Sequence, residues 1–181
     1  MRRRLTATLL PAGLLLTLGI AGVSPASAST DVSSSLVDVS CPLGTQTSTY
    51  HPGLTYTPRQ TTFTATGSLA PCVSPTHPEI VGADFTSSGH GVASCTAADF
   101  EDTATYRWNT GQSSKVEGRV TINLKPNGQT VLVRIGEVTG GLFKGATVTQ
   151  TKVLPALNLL DCATGDGLEY VSGPVNLTVV L

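Results

Sequence analysis

The sequence is sparing with the groups that carry chemistry. Its 181 residues include one methionine and one tryptophan, aromatic residues make up 5 %, charged residues 13 %, and histidine occurs three times. No Gly-x-Ser-x-Gly elbow exists to raise a nucleophile above a strand. The cysteines do not fall in the close pairs of a structural zinc site. No run of Lys and Arg is dense enough to displace counterions from a nucleic acid or to hold an anionic membrane surface. After Ser29 no long apolar segment occurs, which leaves nothing of the length a membrane-spanning helix needs. From these absences the expectation is no cofactor, no metal and no enzyme.

What is there begins with an export signal. Met1-Arg2-Arg3-Arg4 is a positive start, Leu5 to Val23 an apolar core, and Ala26-Ser27-Ala28 the small residues a signal peptidase requires. The pattern predicts cleavage after Ala28 and a secreted, extracellular product beginning at Ser29. No Cys follows the cleavage site to carry a lipid, and Leu5-Thr6 fits a twin-arginine signal poorly. Three of the 11 basic residues, Arg2, Arg3 and Arg4, leave with the signal, so the remaining 8 face 12 acidic residues for a mature charge of −4.

The mature part is the length of one domain. The expected organisation is a signal peptide over 1–28, a flexible leader of small polar residues over 29–35, and a single domain over 36–181. Cys41, Cys72, Cys95 and Cys162 all lie in that domain, and an even count in an exported chain predicts two disulfides. Three pairings are open and sequence alone does not choose among them. The favoured one joins Cys41 to Cys72, tying down the opening strand, and Cys95 to Cys162, pinning the late Leu-rich segment to the middle of the sheet.

Thr, Val, Gly and Ser dominate from Leu36 onward, and helix formers never recur at helical spacing. In Ala104-Thr105-Tyr106-Arg107-Trp108 the even positions are apolar. The return run puts Val116, Gly118, Val120, Ile122 and Leu124 on one face and Lys115, Glu117, Arg119, Thr121 and Asn123 on the other. Such alternation marks antiparallel strands with one buried and one wet face. Lys125-Pro126-Asn127-Gly128 makes a tight turn, Val131, Val133 and Ile135 continue the meander, and Gly136 predicts a bulge. Strands are also expected over 60–68, 80–85, 146–151 and 175–181. Single helical turns are expected at Ala97–Asp102 and Pro155–Leu160. The predicted fold is all-β: an antiparallel β-sandwich of roughly eight or nine strands, immunoglobulin-like in general shape. An up-and-down barrel is the competing architecture.

Each candidate site has a plain alternative. His90, in Ser87-Ser88-Gly89-His90-Gly91, neighbours hydroxyls, but a Gly-flanked loop is a poor holder of catalytic geometry. Asp99, Glu101 and Asp102 share one short loop, whereas a glycosidase needs carboxylates on facing walls; helix-start acids explain them better than a calcium site. The parity of Trp108 assigns it to the core. Tyr50 and Tyr56, flanking His51-Pro52-Gly53-Leu54-Thr55, are expected at the surface, and the Leu142-Phe143-Lys144 tip of a glycine-rich turn reaches outward. Tyr50, Tyr56, Phe143 and Lys144 are therefore the candidate partner-binding residues. Unpaired sheet edges could also accept an added strand.

The pattern from Cys41 through Gly44-Thr45, Thr49-Tyr50-His51-Pro52-Gly53-Leu54-Thr55 and Cys72, then Ser94-Cys95, Arg107-Trp108-Asn109 and Pro126-Asn127-Gly128-Gln129-Thr130, resembles a group of exported actinobacterial proteins. The resemblance spans nearly all of the mature chain and implies a non-enzymatic β-sandwich. The chain is also similar to the small adaptor subunits of secreted antibacterial toxin particles, which link a lectin-like or protease-like subunit to a stalk of repeats. The expected function is a secreted protein-interaction module, an adaptor or structural subunit whose partner is another extracellular protein. A carbohydrate or cell-wall binding domain is one alternative. A secreted protease inhibitor that offers Pro42-Leu43-Gly44 to an enzyme is another.

Overall fold

Apolar and polar residues alternate along much of the chain after Leu36, and extended backbone converts that period of two into an inner and an outer face. In a computed structural model, which describes residues 36–124, 129–154 and 160–181, nine strands form. They are β1 (Val37–Cys41), β2 (Gly44–Leu54), β3 (Arg59–Leu69), β4 (Ala83–Ala93), β5 (Ala97–Trp108), β6 (Ser113–Leu124), β7 (Thr130–Gly141), β8 (Thr147–Leu154) and β9 (Leu168–Val180), with one 3₁₀ turn at Asp161–Ala163. The chain separates into Met1–Ser33 and Ser34–Leu181, and the strands belong to the second part. The segments expected as signal peptide and leader, the turn expected at Lys125–Gly128 and most of that at Pro155–Leu160 lie outside the described residues.

The fold is a closed barrel and not the sandwich expected from the sequence. Each strand from β2 to β8 pairs antiparallel with the next. The 13 residues of β9 then close the ring. Its first half lies against β2, with Thr45 opposite Pro174 and Leu54 opposite Leu168. Its second half lies against β8, from Lys152 opposite Val175 to Thr147 opposite Val180. Where β2 has left β9, β1 takes its place, with Cys41 opposite Leu177. The same one-sided alternation serves a sandwich and a barrel; what decides is whether the outermost strands find each other. Here they do, and closure removes the edges that a sandwich would leave open.

An eight-stranded barrel is just wide enough for side chains to fill. Two apolar clusters fill this one from opposite ends. One holds Val39, Leu69, Phe85, Tyr106, Trp108, Val138 and Leu177 and is tied by the Cys41–Cys72 disulfide. The other holds Tyr50, Leu54, Phe63, Phe100, Leu132 and Leu168 and is tied by Cys95–Cys162. Both bonds join the pairs favoured from the sequence, one at each end of the barrel.

Several local expectations change. Ala97–Asp102 and Ser87–Gly91 are not a helical turn and a loop but parts of β5 and β4. The inner face of β7 carries Thr130, Leu132, Arg134, Gly136 and Val138, so Val131, Val133 and Ile135 fall on the opposite face, where Val131 is still buried, Val133 is half-buried and Ile135 is exposed. The irregular step in β7 falls between Val138 and Gly140, not at Gly136. Gly136 lies opposite Gly118, and a methyl at Gly136 would come within 2.6 Å of the Glu117 carbonyl oxygen, so glycine is what lets β6 and β7 approach there.

Candidate functional site

Between the two apolar clusters the barrel is crossed by polar side chains. On each strand they sit at inward positions flanked by apolar ones: Gln46 and Ser48 before Tyr50 on β2, Asp102 between Phe100 and Ala104 on β5, Arg134 after Leu132 on β7, and Gln150 and Lys152 between Val148 and Leu154 on β8. All six are buried. A polar group held away from water must find partners inside, and these do. Arg134 donates through Nε to Asp102 Oδ2 at 2.7 Å and through Nη1 to the Tyr106 hydroxyl at 3.2 Å. The Gln150 carbonyl oxygen accepts from Tyr106 Oη and from Arg134 Nη1. Gln150 Nε2 donates to Gln46 Oε1 at 2.9 Å, and Gln46 Nε2 to Ser48 Oγ at 3.0 Å. Lys152 Nζ ends the chain, donating to Ser48 Oγ at 3.2 Å and to the Val171 carbonyl at 3.0 Å.

The electrostatics follow from burial. Burial pushes the Tyr50 phenol up to about 12, with a hydrogen bond from Ser48 pulling the other way. It raises Tyr106 too, against the neighbouring Arg134. Burial alone lowers Lys152 to about 8. Arg134 has Asp102 as its counter-charge; Lys152 has no carboxylate among the described residues. A cavity of about 20 Å³ lies against Gln46, Ser48, Tyr50, Arg134, Gln150 and Lys152. Asp102 Oδ1 and Ser87 Oγ are buried without a partner among the described residues, and Asp102 is flanked across the sheet by Gly89 and Gly118.

The candidate surface residues divide. Tyr50 is 2 % exposed and stacks at 6.2 Å on Phe100, so it belongs to the core and not, as expected, to the surface. Phe143 is corrected likewise: at 7 % exposure its ring meets Trp108 edge-on at 5.6 Å and His77 at 5.4 Å. It does so from a positive φ of 64° at the turn, which swings the ring back over the barrel end. Tyr56 and Lys144 stay exposed. Trp108 is buried as its parity indicates and donates to Ser114 Oγ at 2.9 Å.

The acidic trio does not form one cluster, because extended backbone splits it: Asp102 points in, while Asp99 and Glu101 point out. Asp99 pairs with Arg119 on the wet face. His90 is also outward, opposite Thr62 and Glu101, and no hydrogen bond ties it to Ser88 or to a carboxylate. That row is therefore an exposed polar groove.

Exposed apolar residues gather instead around the Cys41–Cys72 bond. Leu43 is 62 %, Val73 65 % and Val81 56 % exposed. Their segments are adjacent, since the Leu43 carbonyl accepts from Ala70 N, Val73 pairs with Ser40 in both directions, and Cys72 N donates to the Val81 carbonyl. Asn109 fixes the third segment from below, accepting from the backbone amides of Val81 and Gly82 and donating to the Glu79 carbonyl. No protein-family model, no curated protein and no solved structure matches this chain.

Proposed function

We propose that this chain is an exported, non-enzymatic protein-interaction module, an adaptor or structural subunit that meets another extracellular protein through the barrel end carrying Leu43, Val73 and Val81. The observation that carries the reading is the rigidity of that end. Three large apolar side chains stand in water on segments held by a disulfide, by backbone pairing and by Asn109. Apolar surface kept exposed and preorganised is what a partner can bury without a further cost of ordering. The interior supports the same reading, because a cavity of about 20 Å³ leaves no room there for an organic ligand.

Export rests on the N-terminal signal pattern together with the two disulfides, which suit an oxidising compartment. A sugar-binding reading loses weight with the burial of Tyr50, which leaves only Tyr56 exposed of the two tyrosines expected to stack on a sugar. Within the proposed class, the adaptor role is the one the resemblance suggests. Cross-linking in culture fluid followed by affinity recovery tests the reading. Wild-type protein should come back with a partner, and a Leu43→Asp, Val73→Asp double variant with an unchanged circular dichroism spectrum should come back alone. Recovery of a free monomer in both cases refutes it.

A further inference from the structure

We infer that the polar layer is an intramolecular amide-forming centre, in which Lys152 Nζ displaces the amide nitrogen of Gln46 as ammonia and leaves β8 joined covalently to β2. Those two strands are not neighbours. β9 lies between them, with Gly173 opposite Gln46 and Val175 opposite Lys152. Gly173 has no side chain to hold the two apart: Lys152 Cε lies 3.5 Å from where a Cβ on Gly173 would stand, and the amine reaches past it to β2, where it donates to Ser48 Oγ at 3.2 Å.

The groups that such a displacement needs are hydrogen-bonded in sequence. Ser48 Oγ accepts from Lys152 Nζ and, at 3.0 Å, from Gln46 Nε2, so one hydroxyl stands between the nucleophile and the leaving nitrogen. Gln46 Oε1 accepts from Gln150 Nε2 at 2.9 Å, which places a donor where negative charge develops when a carboxamide is attacked. Gln150 is fixed in turn by Tyr106 and Arg134, which donate to its oxygen. Burial supplies the rest. It favours the neutral, nucleophilic amine by lowering Lys152 to about 8. It also holds the reacting groups in one place and keeps bulk water from competing. The cavity of about 20 Å³ that Gln46, Ser48 and Lys152 line leaves room for the amine to leave Ser48 and turn to the Gln46 carbonyl carbon.

The step balances without a co-reactant. The Nζ lone pair forms a bond to Gln46 Cδ as the carbonyl electrons move onto Oε1, and their return breaks the Cδ–Nε2 bond. Ser48 Oγ takes a proton from Nζ and gives its own to Nε2, which departs as ammonia. One amide replaces another, and the escape of ammonia draws the exchange forward. Until the bond forms Lys152 keeps its titratable amine. Afterwards it has none, and the strands on either side of β9 carry a covalent tie.

Peptide mapping by mass spectrometry tests this on the wild-type protein. Mature protein held for days at pH 9 should lose the mass of one ammonia, and after reduction and digestion the peptide carrying Gln46 should stay joined to the one carrying Lys152. Followed from fresh refolding, the rate of joining should rise about tenfold per pH unit up to about 8 and level off above it, as the amine deprotonates. Ser48→Ala keeps both reacting groups but loses the proton relay, and should join about a hundredfold more slowly or less. Lys152→Met should not join at all. Separate Gln46 and Lys152 peptides from the wild type after that incubation, a Lys152 linkage to any other residue, or joining at an unchanged rate in Ser48→Ala would each overturn it.

Discussion

At the scale of single residues, Lys152 is a buried ammonium with no carboxylate beside it among the described residues, and its titration should be visible in stability. The folded protein releases this proton near pH 8, while the unfolded chain keeps it to about 10.5. Between those values the unfolded state binds more protons, so stability rises with pH through that window, by about 3 kcal/mol at one pKa unit per 1.36 kcal/mol. The charged and titratable groups facing it are Arg134 and Tyr50. Above pH 10 the sign reverses, because the unfolded chain loses phenol protons that burial makes Tyr50 and Tyr106 keep. Urea midpoints from pH 7 to 11 should therefore climb and then fall for the wild type, and Lys152→Met should lack the climb. The Arg134–Asp102 pair behaves differently. Asp102→Ala leaves a buried guanidinium without its counter-charge, and chemical unfolding at pH 7 should record a loss of about 3 to 5 kcal/mol.

At the scale of elements, β5 is the strand on which the core turns, for it supplies Phe100 to one apolar cluster and Tyr106 and Trp108 to the other. Trp108→Ala should cost about 3 to 5 kcal/mol, since the cavity left among Phe143, Tyr106 and Ser114 cannot collapse. The wild-type indole should emit towards the blue and resist an added quencher; red emission would contradict its burial. The parity of Ala104, Tyr106 and Trp108 was enough to place that strand's inner face, and followed two steps back it also turns Asp102 inward. The helical turn expected over Ala97–Asp102 hid this. On β7 the most apolar triplet, Val131, Val133 and Ile135, lies on the face opposite Arg134, with Val131 covered and Ile135 exposed. Arg134 lies opposite Gln150 on β8 and hydrogen-bonds to it and to Asp102, so the polar layer gives the inward arginine its partners. Gln150 and Lys152 were legible in the same way, because Val148 and Leu154 share their parity on β8. What single-strand patterning does not contain is the pairing of β9 with both β2 and β8, and so a barrel and a sandwich look alike until the strands are assembled.

At the scale of the molecule, the two disulfides enclose separate spans, 31 residues for Cys41–Cys72 and 67 for Cys95–Cys162, at opposite ends of the barrel. By the loop-entropy argument each stabilises by about 4 kcal/mol, the longer loop slightly more. Replacing either pair with alanine should lower the urea midpoint by a comparable amount, and a difference of several kcal/mol between the two variants would show that strain or residual structure dominates. The strand that closes the ring has a further consequence, one of timing. A chain that emerges N-terminus first, from a ribosome or through a membrane pore, can pair β2 through β8 in order as they appear. Until β9 follows, that assembly is an open sheet with β2 and β8 as bare edges, and the second disulfide, which waits for Cys162, forms only just before. Folding of this barrel is thus held back to the last strand, and a chain stalled short of Leu168 would be left with two adhesive borders instead of none.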